Sequence, residues 1–459
     1  MTKRYIITWA QNNTRPHAAF FAALQHYPAE LLVVRGYYRN PTSETEAVKQ
    51  AKEVAWHPSL APYLVDAETP LSEKVRLYAN IRVSPTASKP LSGFEVLLGK
   101  ASGVIGHPRR SLRCVASDSR SPRLIATTGA VTVPHYSKSG AGAKARKHHT
   151  VGALVVEIRA DGIYFVRQVT WDAKTQGFTD LGSTYTPGGV GPAKPAAALV
   201  VGDVHWGAHC DAAVRATRAQ IAELAPESVV LHDFFDCRVR NHHDKKDARP
   251  RHAHAPQTVQ SEVEAAVAGL WLFAASATKA NPRAGVVVVR SNHDEALDRW
   301  AFAEHDPVRD PLNTPYWHTV CSLAYEYYGV FGKFPDLFPM LVERQWPNIP
   351  LGDITAPVPK CLKRDESHMV CGIQLGFHGH AGTNGAKGSP QTYSRLGVKA
   401  VVGHSHSPWI CDGSVGVGHL TEGDMGYAHN PTTWERANCV VYADGKRSLL
   451  FIFGERWRS

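Results

Sequence analysis

Four short apolar runs constrain the fold of the second half of this chain: Ala197–Val201, Ser228–Leu231, Val286–Val289 and Lys399–Val402. Brief β-branched runs of this kind are how strands covered on both faces read. Between them, Arg215–Leu224 and Thr258–Lys279 read as helices. The pattern is that of an α/β domain.

The first half alternates too. Arg4–Trp9 and Leu31–Tyr38 read as strands around a helix at His17–His26, and Val151–Ile158 and Gly162–Thr170 as strands joined by an Asp161-Gly162 turn. The cluster Pro187-Gly-Gly-Val-Gly-Pro-Ala-Lys-Pro195 reads as punctuation that neither helix nor strand would tolerate. The expected organisation is therefore a smaller mixed α/β domain over residues 1–186, a linker over 187–196 and a second domain over 197–459.

At 459 residues, with 43% hydrophobic and 20% charged side chains, the chain is long enough for two or three domains with sizeable cores. No apolar run approaches the roughly 18 residues of a membrane span, and the start MTKRYIITWAQNNTRP does not read as a secretory signal. Eight scattered cysteines without a C-x-x-C pair point to reduced thiols and a cytoplasmic location. A net charge of +10 favours a polyanionic partner. The 24 histidines matter for where they fall.

Seven of them fall in short blocks after apolar runs. These continue as Gly202-Asp203-Val204-His205, His232-Asp233-Phe234-Phe235-Asp236, Ser291-Asn292-His293-Asp294 and Gly403-His404-Ser405-His406, and a fifth block is His378-Gly379-His380. Loops beyond strand C-termini converge on one crevice in open α/β sheets. Extended residues two apart point the same way, so D-x-H and H-x-H pairs can address one centre. Mixed carboxylate, amide and imidazole donors suit manganese, iron or zinc, with manganese preferred for a phosphate ester and magnesium still open.

The ordered set GDVH, HDFFD, SNHD, FHGH and GHSH resembles the calcineurin-like metallophosphoesterases over about the C-terminal 260 residues. The resemblance implies a four-layer α/β/β/α sandwich with two divalent ions. Asp203, His205 and His406 would hold one ion and Asn292, His378 and His404 the other, with Asp233 bridging. His293 would act on the phosphate or leaving oxygen, and Asp294 would orient His293. A metal-bridging hydroxide would be the nucleophile. The sequence departs from the pattern in having His232 and Ser291 where glycines usually precede Asp233 and Asn292, which questions the local backbone there.

The substrate class is open. Three features lean toward DNA: the basic segment 82–150 with its SKSGAGAKARKHH loop, the insert RVRNHHDKKDARPRHAH, and Lys387 in a glycine-rich stretch. Arg238, Arg240, His242, His243 and Lys387 are the candidate phosphate contacts. His242, His243, His252 and His254 could instead form an extra metal site, and a solvated loop is the plainer reading. A looser likeness to phage-encoded, SbcD-type manganese-dependent DNases supports a nuclease. The alternatives are an enzyme acting on a small phosphate ester, or a nucleic-acid-binding or assembly protein with a vestigial site. A homo-oligomer is compatible with all three.

Overall fold

In the computed structural model, residues 2–38, 54–117, 122–240, 257–303, 305–346, 356–364, 366–423 and 431–459 are described. Three of the four apolar runs become neighbouring parallel strands, Ala198–Val201, Ser228–His232 and Gly285–Val289. Lys360–Cys361 adds in parallel at one edge, and Ala437–Val441 and Arg447–Phe451 add antiparallel at the other. The fourth run, Lys399–Val402, lies in a different sheet, parallel to Ile373–Gln374 and Ser414–Gly416.

The continuity of the runs follows from what covers them. Leu199, Val201, Val229, Leu231, Val286 and Val288 belong to a core with the helices Asp211–Leu224 and Val259–Ala280. Their alternates Ala198, Val200, Val230, Val287 and Val289 pack in another core with Val401, Ile410 and Val415 of the second sheet. With side chains alternating along each strand and both faces covered, every position is apolar. Thr258 starts the long helix by capping it reciprocally with Ser261. Phe273 is fully buried there, and Trp271 only partly.

The boundary expected at 187–196 does not separate the sheets. Ser111–Cys114 pairs antiparallel with Trp409–Cys411, so the strands Glu68–Pro70, Val75–Tyr78, Ser102–Ile105, Ser111–Cys114 and Leu124–Thr127 extend the sheet that holds Lys399–Val402. Gly189–Pro192, read as linker, is an edge strand of a small sheet with Ser183–Thr186. An edge position makes its proline tolerable, because only one side of the strand has to be paired. The SKSGAGAKARKHH stretch, read as a loop, contains the helix Gly140–His148, capped by the Ser139 hydroxyl.

The strands Lys3–Gln11, Glu30–Gly36, Leu64–Val65, Gly152–Ile158 and Tyr164–Thr170 form a further sheet. One of its faces joins the central core and the other packs on Phe20 and Leu24 of the helix Ala18–Leu24. Arg167 is buried within it. Its guanidinium donates to Glu157 at 3.0 Å and to Asp180 at 2.7 and 2.8 Å, and the Tyr27 hydroxyl donates to Asp180 at 2.6 Å. Glu157 also takes the Ser459 amide at 3.2 Å, tying the C-terminal residue to this sheet.

Burial would raise the Glu157 pKa, but Arg167 outweighs it and holds the group down to about 2, from an ordinary 4.5. A depressed carboxylate stabilises the fold above its unfolded pKa and loses that contribution as pH falls toward its folded one. Stability should therefore decline from about pH 4.5 toward pH 2, and Glu157→Gln should flatten that decline in urea titrations. Arg167→Met takes the buried guanidinium from two buried carboxylates, leaving Glu157 with the half-exposed Arg4 at 3.1 Å and Asp180 with the Tyr27 hydroxyl, and should cost about 3 kcal/mol at neutral pH.

Candidate metal centre

Backbone hydrogen bonds lock the ends of the first two strands together. The Val204 and His205 amides donate to the carbonyls of His232 and Asp233 at 3.2 and 2.8 Å, and the Asp203 amide donates to Gly418 at 3.0 Å. The Gly403 amide donates to His378 at 2.7 Å, bringing the fourth and fifth blocks alongside each other. A Cβ on Gly403 would lie 2.3 Å from Asp203 Oδ1, so only glycine fits there. His205, Asp233, His404 and His406 have φ values of 46°, 44°, 68° and 53°, a strained left-handed backbone of the kind found at functional sites. His232 and Ser291 have no positive φ. At the second block the strain sits on Asp233 itself, and glycine is not needed before it.

Five of the expected ligands converge. Donor atoms of Asp203, His205 and His406 lie within 4.8 Å of one another, as do those of Asp203, Asp233 and His378. Asp233 Oδ2 stands 3.5 Å from His205 Nε2 and 3.4 Å from His378 Nε2, between the two groups. Asp203 Oδ2 is 3.3 Å from His406 Nε2. His404 places its ring centroid 5.2 Å from that of His378 and is outside both groups. His380, the alternative to His378, is only partly buried, with its ring 5.6 Å away. Asn292 Oδ1 is buried without a hydrogen-bond partner among the described residues.

The same is true of both Asp203 oxygens, Asp233 Oδ1, both His378 nitrogens and His406 Nδ1. Buried polar atoms left unpaired are costly, and a cation among them removes that cost. His205 Nε2 and His406 Nε2 face each other at 3.1 Å, an approach that a shared proton or an intervening cation relieves. Two closely spaced His/Asp clusters of this composition fit two divalent ions. They give the site the potential for metal-assisted hydrolysis and are consistent with a calcineurin-like metallophosphoesterase.

Charge coupling is strong. Burial alone would raise the pKa of Asp203 and Asp233, but the surrounding histidines hold both down. Burial would lower His205 and His378, but the carboxylates, Asp233 foremost, raise both. His404 and His232 are pushed down, to about 4 and about 3, by burial first and then by the His378 charge.

Asp236, the last residue of HDFFD, does the orienting expected of Asp294. Its Oδ1 lies 2.8 Å from His205 Nδ1 and 2.9 Å from His293 Nδ1, and its carbonyl is 3.0 Å from the same His293 nitrogen. Asp294 instead accepts the Ser291 amide at 2.9 Å, at the start of the helix Asp294–Ala301. There burial pushes its pKa up to about 7. A side chain that caps its own turn cannot also reach around to the preceding ring. Burial would lower His293, but Asp233 and Asp236 raise it to about 10. His419, which is absent from the motifs, backs the site: it stacks on His406 at 5.4 Å and bonds Thr421 at 2.6 Å. The spacing of two carboxylates in HDFFD could have revealed Asp236; an isolated histidine in GVGHL carries no comparable signal.

Of the expected phosphate contacts, Arg238 is at the rim, Nε 3.5 Å from Asp236 Oδ2. Arg240 is committed elsewhere, forking onto the Asp310 carboxylate with Nε at 2.7 Å, so it is not a free phosphate donor. Lys387 is exposed in the loop after His380, bridged through its backbone to Ala381. His242, His243, His252 and His254 lie outside the described residues. All eight cysteines are free, and Cys210 and Cys237 are packed in the core. Among the described residues, no helix is long and apolar enough to cross a membrane.

Protein A1 of Escherichia phage T5 is 30% identical to this chain over 478 residues, an alignment covering 98% of this chain and 81% of that protein. No family model matches the chain, and no solved structure does.

Calorimetric titration of metal-stripped protein with Mn2+ should show two equivalents bound, one for each cluster. His406→Ala should keep one and Asp203→Asn, common to both clusters, should lose both. Saturation at a hundred times Kd should add about 2.7 kcal/mol of stability for each site filled. A single equivalent in the native protein would refute a dinuclear centre.

Proposed function

The chain belongs to the family of Protein A1 of Escherichia phage T5, and on that premise we propose that it is a manganese-dependent, phage-type DNase acting in the host cytoplasm. The observation that carries the hydrolytic part of this reading is the Asp236–His293 pair beside two clusters of unpartnered donors. Divalent ions bound by those donors supply positive charge for phosphate oxygens and a means of activating water.

The chain's own residues would do the rest. Asp236 accepts hydrogen bonds from Nδ1 of both His205 and His293, which leaves each Nε2 facing the centre. On His205 that atom would be a ligand, its orientation fixed by the carboxylate behind it. On His293 it is a proton donor, kept charged by Asp233 and Asp236, and suited to protonating the leaving oxygen of a cleaved ester. Asp294 fixes the turn that carries His293. Arg238 at the rim and the overall charge of +10 favour a polyanion over a neutral substrate. In this reading residues 197–459 carry the chemistry, and the basic segment 82–150 helps to hold the strand.

One observation favours a smaller substrate. A cavity of about 230 Å3 beside His378 is lined by His380, Lys363 and Arg364, and would hold a compact phosphate ester.

Incubating linear and circular DNA with Mn2+, Mg2+ or chelator separates these readings. The nuclease should cut both or only linear DNA with Mn2+. Asp233→Asn should abolish cutting, and His293→Ala or Asp236→Ala should slow it roughly a hundred- to ten-thousand-fold. Rapid hydrolysis of a small phosphodiester with no cutting of any DNA would leave the metal centre standing and sink the DNase.

A further inference from the structure

A second concave site lies at the other end of the strand that leads to the metal ligands. Lys399 lines it, while His404 and His406 follow the far end of Lys399–Val402. At about 3.3 Å per residue the strand alone separates Lys399 from Val402 by about 10 Å. The cavity measures about 420 Å3 and is walled by Arg109, Arg110, Lys147, Lys399, Lys446 and Arg447 against one carboxylate, Asp412.

That carboxylate is already engaged, by Arg109 at 2.7 Å and His148 at 3.2 Å. Lys446 pairs with Asp172 at 3.0 Å, and its amide donates to Asp444 at 2.9 Å. The two deepest cations bond only neutral groups among the described residues. Arg447, 7% exposed, donates to the carbonyls of Ala400 at 3.1 Å and Gly413 at 2.7 Å. Arg110 donates to the Thr170 hydroxyl at 3.0 Å and the Arg447 carbonyl at 2.9 Å, and its Nε is buried with no partner among those residues.

Withdrawing like charges from water without a counter-charge is unfavourable. The strain shows in the pKa values: burial and then Arg447 push Arg110 down to about 10, and burial followed by Arg447, Lys446 and Arg110 lowers Lys399. Such a cluster persists where an anion completes it. Guanidinium forks match phosphate oxygens, and a terminal phosphate carries enough charge to offset several cations. A DNA duplex presents its phosphates on a convex surface and would not reach withdrawn guanidiniums, whereas a free phosphate group would. We propose that this cavity binds a small phosphate-bearing anion, between pyrophosphate and a nucleoside monophosphate in size, through Arg110, Arg447 and Lys399. The site is separate from the metal centre and does not depend on the nuclease reading.

The test uses full-length Asp233→Asn protein stripped of metal, so that phosphate has no metal centre to bind. Sodium pyrophosphate, deoxyadenosine monophosphate and citrate are titrated by calorimetry and by thermal melting at matched ionic strength. Pyrophosphate or the monophosphate should bind with one equivalent and raise Tm saturably, and which binds tighter identifies the source. Adding Lys399→Gln or Arg110→Met should weaken binding at least tenfold, with Tm in the absence of ligand unchanged or higher. Should either fail to fold, Lys147→Gln, at an exposed rim position, should still weaken it. Equal binding of citrate, equal stabilisation of all variants, or loss of only DNA binding in the variants would overturn the proposal.

Discussion

Asp203 and Asp233 bring two almost fully buried carboxylates to the floor of one crevice. With donor atoms within 4.8 Å of one another, like charges repel strongly in a low-dielectric interior, and among the described residues no lysine or arginine pairs with either. Imidazoles surround them instead, from strand ends in both large sheets. The geometry around this point follows from the need to hold opposed charges still. Amides are crossed between the loops, four residues adopt a left-handed backbone, and a glycine at 403 lets Asp203 lie against the neighbouring chain. Only a rigid, doubly covered sheet keeps such an arrangement from relaxing into water.

The residues that cluster, Asp203, His205, Asp233, His378 and His406, were legible in the sequence as candidates because they stand in short polar blocks that follow apolar runs, and a run's end is a local property. Their convergence was legible because parallel strands present their C-terminal loops on one side. What escaped were the relations between distant segments. Asp294 neighbours His293 in sequence, yet Asp236, far back in the chain, holds the ring. Arg240 read as a free cation because Asp310, its partner, lies 70 residues on. The glycine-rich basic stretch looked like a loop, but a serine cap and alanines suffice for a short helix once it is docked.

The domain reading was limited for the same reason. Strands of about four residues, such as Ser111–Cys114, carry little periodicity of their own, and their pairing is decided by a partner nearly three hundred residues away. Glycine and proline at 187–192 are poor strand formers in isolation but serve on an edge, where one side needs no bonds. Composition reported the local cost and could not report the neighbour that offsets it.

The pairing of Ser111–Cys114 with Trp409–Cys411 also orders events during synthesis. The early strands leave the ribosome with an open edge that cannot close until the later strand appears. Residues 113 and 409 are 296 positions apart, which at ordinary elongation rates is roughly 15–60 s of translation. The histidines at 404 and 406 arrive in the same late stretch. Until that stretch is present the candidate metal cluster lacks His406, and the sheet keeps an unpaired edge of the kind that can pair with other chains.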